Sequence, residues 1–169
     1  MKNMKEYKQR IIDNTILDFA RDKGAIIYGR KALNERLPKP LYKKTRDFDM
    51  FISKPKINAR KLEKQLDGVF QRNMFYVKKG EHEGTYKIKN NMGTKSVKDD
   101  KTVADLTRPY EKVPYEKSFD GIKFARLEYL KKKALKILSD KQYQYRWEKD
   151  KETLKKIKLI EDYNKKYGY

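Results

Sequence analysis

The sequence contains no cysteine and only one histidine among its 169 residues. Without thiols, the chain cannot form disulfides, a cysteine nucleophile or a cysteine-based zinc site. A single histidine also excludes a metal site built from several imidazoles. Because a lack of cysteine is typical of reducing compartments, we expect an intracellular, cytoplasmic protein.

Glycine and proline are also scarce, with eight and five residues, and no stretch of them is long enough to form a flexible linker. A length of 169 residues without such a linker favours one compact domain. We predict a core with an N-terminal helix at residues 1–125 and a helical tail at residues 126–169 that packs on it. Residues 1–10 are charged and precede an amphipathic stretch, so we expect neither a signal peptide nor a membrane span.

Positive charge is what the sequence has in excess. Its 44 Lys and Arg residues against 24 Asp and Glu give a net charge of +20. Such a field attracts polyanions, so nucleic acid, and RNA in particular, is the first partner that we expect. The alternative is that lysine serves only as a general solubilising surface.

The spacing of apolar residues predicts an α/β (α+β) domain in which helices flank a mixed sheet. Predicted helices cover residues 5–21, 30–37 and 58–66, and two more lie within residues 126–169. Predicted strands cover residues 25–28, 46–53, 69–78, 85–89, 101–106 and 121–124. Residues 79–84 form a predicted hairpin turn, whose two glycines lack the strand-loop-helix setting of a P-loop. A polar loop is expected at residues 90–100.

Two aspartates stand out in one predicted strand. Asp47 and Asp49 are two positions apart, so both should lie on one face while Phe48 and Met50 enter the core. Aspartate is a poor strand former, and two carboxylates this close repel each other unless a cation bridges them. The pair therefore indicates a divalent metal, Mg2+ or Mn2+, with Asp105 of a neighbouring strand as a third ligand. The alternative is a solvated face of an amphipathic strand.

The order of these features resembles a known signature. It comprises Ile26-Ile27-Tyr28-Gly29-Arg30, Thr45-Arg46-Asp47-Phe48-Asp49-Met50-Phe51 and Val103-Ala104-Asp105-Leu106. These segments resemble the DNA polymerase beta-like nucleotidyltransferase superfamily. They are similar in particular to the catalytic subunits of poxvirus-like and giant-virus poly(A) polymerases, a likeness that residues 145–150 share. The resemblance extends over residues 25–150.

This resemblance implies transfer of a nucleoside monophosphate from a nucleoside triphosphate, with ATP expected, to the 3′ hydroxyl of an RNA. It implies that Asp47 and Asp49 bind two metal ions, Mg2+ or Mn2+. Asp105 would complete the site and help to deprotonate the incoming hydroxyl. A viral or phage protein in the host cytoplasm would fit this resemblance.

The turn after the first predicted strand corresponds to the phosphate-binding turn of the superfamily, but its sequence differs. Gly29 would let backbone amides approach the triphosphate. The superfamily usually has Gly-Gly or Gly-Ser here, whereas this chain has Gly29-Arg30, so Arg30 or Lys31 would replace the missing hydroxyl ligand. The viral polymerases also carry further domains around this core. The chain is therefore expected to be a minimal transferase or to need a protein partner that supplies them.

Three other features have weaker interpretations. His82 lies in the predicted hairpin turn and receives no role, and Trp147 is in phase with Leu154 and Ile157, which favours packing over base stacking. Five lysines form either a phosphate-contacting rim near the Asp105 strand or a solvated loop. They are Lys87, Lys89, Lys95, Lys98 and Lys101.

Two functions are alternatives to nucleotidyl transfer to RNA. The signature does not encode the acceptor, so a toxin-like transferase that modifies tRNA or a protein is one alternative. The other is a non-catalytic nucleic-acid-binding or virion-associated protein that retains the fold. Divalent-metal binding should distinguish the second from an enzyme.

Overall fold

The computed structural model describes residues 2–168, with the side chains of residues 3–168, so Met1 and Tyr169 of the predicted core and tail lie outside it. Within this part, one mixed sheet and flanking helices confirm the predicted α/β (α+β) class. The helices are α1 (Lys2–Lys23), α2 (Gly29–Asn34), α3 (Pro55–Phe70), α4 (Leu127–Leu138) and α5 (Trp147–Tyr167). The strands are β1 (Ile26–Tyr28), β2 (Phe48–Phe51), β3 (Phe75–Lys79), β4 (Thr85–Asn90), β5 (Lys101–Thr107), β6 (Tyr115–Lys117) and β7 (Lys123–Ala125).

The sheet has the strand order β3-β4-β5-β2-β1-β7-β6. At its centre, β2 pairs antiparallel with β1 and parallel with β5. The hairpin β3-β4 extends one side, and β7 with β6 extends the other. Long connections therefore bring β2 and β5, the strands that carry the aspartates, next to each other in the middle of the sheet.

The alternation of side chains along β2 separates the core from the polar face. Phe48 and Met50 are 3% and 0% exposed, as predicted, and Met50 pairs with Ile27 of β1 and Leu106 of β5. Helices α1 and α3 contribute the buried side chains of Ile16 and Leu62 to the same core, among others. Burial of these apolar side chains is the main stabilising contribution to the domain. It fixes Asp49 on the opposite face of β2.

The last two helices lie over the polar face. Helix α4 reaches the sheet through Lys133, whose Nζ atom lies 4.4 Å from the ring centre of Tyr28 and 4.9 Å from that of Phe51. Helix α5 packs against α4, and an ion pair of 2.7 Å joins Lys43 Nζ to Glu152 Oε2. The two helices thus form a wall beside the centre of the sheet. Among residues 2–168, no helix has both the length and the apolar character needed to cross a bilayer.

The predicted strand at residues 69–78 was wrong in its first half. Val69 and Phe70 belong to α3, which ends where Gln71 adopts a left-handed conformation with φ of 51°. The i, i+4 spacing of apolar residues along α3 outweighs the strand propensity of these two side chains. Asp67 Oδ1 then accepts hydrogen bonds from the backbone N–H groups of Met74 and Phe75, each 2.9 Å long, and β3 begins.

Smaller differences occur at other boundaries. The predicted helix 30–37 is shorter and ends at Asn34, and the predicted loop 90–100 contains a short 3-10 helix at Val97–Asp99. The sequence did not predict β6, because the three residues of Tyr115–Lys117 are all exposed and show no alternation. An exposed edge strand leaves little hydrophobic pattern in a sequence.

Candidate active site

The three predicted metal ligands lie together. Asp47 directly precedes β2, Asp49 lies within it, and Asp105 of β5 is the register partner of Asp49. One carboxylate oxygen from each residue lies within 4.8 Å of the other two. The parallel pairing of β2 and β5 therefore produces a cluster from residues that are far apart in sequence.

This cluster is electrostatically unfavourable without a cation. The pKa of Asp49 rises from its ordinary value of 3.8 to about 7. Burial is the largest cause, followed by the charges of Asp105 and Asp47, whereas the charge of Lys149 acts in the opposite direction. Desolvation and like charges both disfavour the ionised form, and a divalent metal would reverse the effect of the like charges.

The polar atoms of the cluster are only partly satisfied by the protein. Thr45 Oγ1 donates a hydrogen bond of 3.3 Å to Asp47 Oδ1. Asp105 Oδ1 is buried and accepts no hydrogen bond from the described residues, although Lys87 Nζ lies 3.3 Å away. That contact is an ion pair whose direction does not suit a hydrogen bond. Three hard oxygen donors with unused lone pairs fit the coordination preferences of Mg2+ and Mn2+.

Gly29 provides the space that the cluster needs. It has φ of +71°, and a Cβ atom at this position would lie 2.5 Å from Asp49 Oδ2. A side chain here would be strained by the backbone and would also displace the carboxylate. The close approach of the β1-α2 turn to Asp49 is thus possible only with glycine.

Of the two cations that follow Gly29, the structure brings one to the site. Arg30 lines a cavity beside the carboxylates. Lys31 contacts α1 and the core instead, with Nζ 3.9 Å from Asp13 Oδ2 and 4.3 Å from the ring centre of Phe48. Arg30 is therefore the better placed of the two to contact a triphosphate.

The cavity beside the carboxylates has a volume of about 130 Å³ and is bounded by α4 and α5. Besides Asp47 and Asp49, three basic residues of the C-terminal part line it: Lys133, Arg146 and Lys149. These cations do not stand out in the sequence, because they lie among many lysines on two amphipathic helices. The only signal was the likeness at residues 145–150, which contain two of them.

Packing holds these cations in place. Burial lowers the pKa of Lys133, with a further contribution from the charge of Arg146, while Asp49 and Asp150 act in the opposite direction. Asp150 is 5% exposed, and its Oδ2 atom lies 3.7 Å from Arg146 Nε. Half-buried Trp147 donates a hydrogen bond of 3.0 Å from Nε1 to the carbonyl oxygen of Ile137, which joins α5 to the end of α4.

The remaining candidates lie farther from the cluster or on the surface. His82, Lys95, Lys98 and Lys101 are exposed, and Lys101 begins β5, four positions before Asp105. At about 3.3 Å per residue, this separation is roughly 13 Å. Lys87 is the member of the proposed lysine rim that contacts the cluster. The rim as a whole stays a prediction.

Comparison with known proteins supports the fold. No family model matches the chain, and no curated protein matches it. Among solved structures, the Megavirus polyadenylate synthase superposes with a TM-score of 0.71 at 23% sequence identity, over 89% of this chain and 31% of that one. JHP933 from Helicobacter pylori gives a TM-score of 0.48 at 16% identity, over 75% of this chain and 54% of that one. The chain thus spans about a third of the Megavirus protein, and the fold that the two share over this part confirms the predicted resemblance to a giant-virus poly(A) polymerase.

Proposed function

We propose that this protein is a metal-dependent nucleotidyltransferase that transfers a nucleoside monophosphate from a nucleoside triphosphate, with ATP as the expected donor, to the 3′ hydroxyl of an RNA. The hydroxyl oxygen forms a bond to the α-phosphorus, the bond between the α- and β-phosphates breaks, and pyrophosphate leaves. The observation that carries the proposal is the cluster of Asp47, Asp49 and Asp105 on adjacent strands beside a basic cavity. The likeness to a polyadenylate synthase supports ATP as donor and RNA as acceptor. The net charge of +20 supports an RNA partner.

In this proposal, the three carboxylates have two roles, metal binding and acceptance of a proton. Asp47 and Asp49 hold Mg2+ or Mn2+, and Asp105 completes the site. The bound metal would supply positive charge to the triphosphate and to the attacking hydroxyl. The Asp105 carboxylate faces the same cluster and would accept the proton that the RNA hydroxyl loses. Positioning and charge compensation thus account for most of the expected catalysis.

The cavity cations would bind the triphosphate. Arg30, Lys133, Arg146 and Lys149 offer up to four positive charges beside the carboxylates, which matches the charge of a nucleoside triphosphate. Gly29 leaves room for Asp49 at the turn next to them. We leave Lys31 out of this set because it contacts Asp13 and Phe48.

Two further elements of the proposal concern the setting of the enzyme. We also propose that a protein partner supplies additional RNA-binding surface beside the basic cavity. A cytoplasmic location stays a prediction from the sequence.

The experiment is a transfer assay with the purified protein, labelled ATP, Mg2+ or Mn2+ and an RNA with a free 3′ hydroxyl. The test variants are Asp47→Asn, Asp49→Asn and Asp105→Asn, and the matched control is Asp162→Asn on the exposed side of α5. We expect the three test variants to lose at least about a hundredfold in rate, since each removes a metal ligand. The control should keep wild-type activity.

Competition with the other triphosphates and with a 3′-blocked RNA tests donor and acceptor. A wild-type protein that binds metal and ATP but labels no acceptor would support the non-catalytic alternative. Labelling of protein or of blocked tRNA would instead support a toxin-like transferase. Equal activity of all four variants would show that the carboxylates have no catalytic role.

A further inference from the structure

A lysine lies against one of the three carboxylates. Lys87 of β4 is the register partner of Asp105, and its Nζ atom lies 3.3 Å from Asp105 Oδ1. The side chains of Lys87 and Asp105 are 32% and 15% exposed, so the pair is well shielded on the carboxylate side. Among the described residues, Lys87 is the ion-pair partner of Asp105, Oδ1 accepts no hydrogen bond, and a side-chain hydrogen bond links Asp105 to Asp49.

The position of this ammonium group conflicts with a metal ion on the same carboxylate. A divalent ion bound to Asp105 would share that carboxylate with Lys87 Nζ, and two cations so close to each other repel strongly in a partly buried site. The lysine side chain is flexible and one third exposed, so it is free to move towards solvent. Metal and lysine are therefore expected to exclude each other at Asp105.

We propose that Lys87 is a tethered cation that neutralises Asp105 in the metal-free protein and that a divalent metal displaces it on binding. Lys87 is then a positioning residue that lowers the affinity for metal and reduces the charge repulsion among the three carboxylates in the metal-free protein. This inference rests on the proposed metal-dependent function, because it assumes that Asp105 is a metal ligand. It assigns to Lys87 a different role from that of a phosphate contact in a lysine rim.

The sheet offers a matched control. Lys78 of β3 is the register partner of Lys87 and therefore lies on the same face, one strand farther from Asp105. Lys78 is exposed and forms no ion pair in the described part of the chain. Replacing either lysine by methionine removes one charge and keeps a long apolar side chain. Lys87→Arg keeps the charge and tests whether a cation restores the wild-type behaviour.

The experiment measures the Kd of Mn2+ for the purified, chelator-treated protein without nucleotide, from the paramagnetic resonance signal of free Mn2+. We expect Lys87→Met to bind Mn2+ roughly threefold to tenfold more tightly than the wild type, as removal of one competing ion pair predicts. Lys78→Met should stay within about twofold of the wild type, because its charge is farther away and screened. Lys87→Arg should resemble the wild type.

The outcomes separate this inference from the proposed function. Wild-type binding that Lys87→Met leaves unchanged would overturn the role of Lys87 and leave the metal site intact. Equal tightening by Lys78→Met would also overturn it, because the effect would then come from net charge alone. A wild type that binds no Mn2+ would overturn both the inference and the metal-dependent function.

Discussion

Removal of one carboxylate charge should make the metal-free protein more stable, although it should abolish metal binding. Asp49 is the best position for this test because burial and the charges of Asp105 and Asp47 raise its pKa from 3.8 to about 7. Asn has nearly the same shape as Asp and no charge. The variant Asp49→Asn therefore isolates the electrostatic cost of the cluster.

The magnitude follows from the linkage between pKa and folding. Each pKa unit corresponds to about 1.4 kcal/mol, so a rise from 3.8 to about 7 costs the folded state roughly 4 kcal/mol above pH 7. Burial of the charge is the largest part of this cost and the charges of Asp105 and Asp47 add to it. Because Asn remains a buried polar group, we expect one substitution to recover only about 1–3 kcal/mol. For a chain of this length, 1 kcal/mol corresponds to a change in Tm of about 2–4 °C, so Tm should rise by several degrees.

The pH dependence has a definite sign. Between pH 3.8 and about 7, the folded state binds more protons at Asp49 than the unfolded state does, so wild-type stability falls as the pH rises through this range. The gain from Asp49→Asn should therefore be complete at pH 8 and should shrink towards pH 4. The control Asp162→Asn, on an exposed residue of α5, should change stability by less than about 0.5 kcal/mol at either pH.

The assay is thermal and urea unfolding of wild type, Asp49→Asn and Asp162→Asn in EDTA, and again with millimolar Mn2+ and ATP. A ligand that binds only the folded state raises stability by mass action, so Mn2+ should stabilise the wild type and the control but not Asp49→Asn. Asp49→Asn should thus be more stable than the wild type in EDTA and less stable than the wild type with Mn2+ and ATP. If Asp49→Asn is less stable than the wild type in EDTA at pH 8, the charge repulsion inferred for the cluster is wrong.

Three more predictions concern the space at Gly29 and the positive charge of the surface. Gly29→Ala should weaken Mn2+ binding at least about tenfold, because the added Cβ atom would displace Asp49 Oδ2. The control is Gly93→Ala, where φ is a similar +73° and no described atom lies within 4 Å of the added Cβ atom. This control should lose stability but keep its Mn2+ affinity. Equal Mn2+ affinity of the two glycine variants would refute the role of Gly29. RNA affinity in a filter-binding assay should fall steeply between about 50 and 200 mM salt, because cationic contacts release counterions. Replacing Lys95, Lys98 and Lys101 together by Gln should weaken RNA binding more than ATP binding, and an unchanged RNA affinity would make them ordinary solvated surface.

Part of the aspartate cluster was predictable from sequence, because the geometry of a strand determines which side chains lie on the same face. Two residues two positions apart in a strand share a face, so the spacing of Asp47 and Asp49 alone places them together. The pairing of β2 with β5 was not encoded locally. It depends on which strands are neighbours, and the likeness to a known family supplied that information for Asp105. The ion pair with Lys87 could not be predicted, since it requires the register of β4 against β5.

The predicted end of α3 was wrong because two local preferences competed there. Val69 and Phe70 favour strands by propensity, but Phe70 continues the apolar stripe of Leu62 and Leu66 along α3, and tertiary packing decided the outcome. Edge strand β6 could not be predicted because exposed residues carry no burial pattern. In both cases, the missing information concerned the neighbours of a segment rather than the segment itself.

The cavity cations show why the C-terminal helices belong to the site. Lys133 packs over Tyr28 and Phe51, two residues of the central strands, so the position of α4 depends on the same sheet that carries the carboxylates. Arg146 and Lys149 lie on either side of Trp147, whose hydrogen bond to the carbonyl oxygen of Ile137 joins α5 to the end of α4. Sequence periodicity placed Trp147 in a packing role, and that packing orients the charges beside it. The carboxylates of the sheet would therefore bind the metal, while Lys133, Arg146 and Lys149 of the C-terminal part would bind the triphosphate.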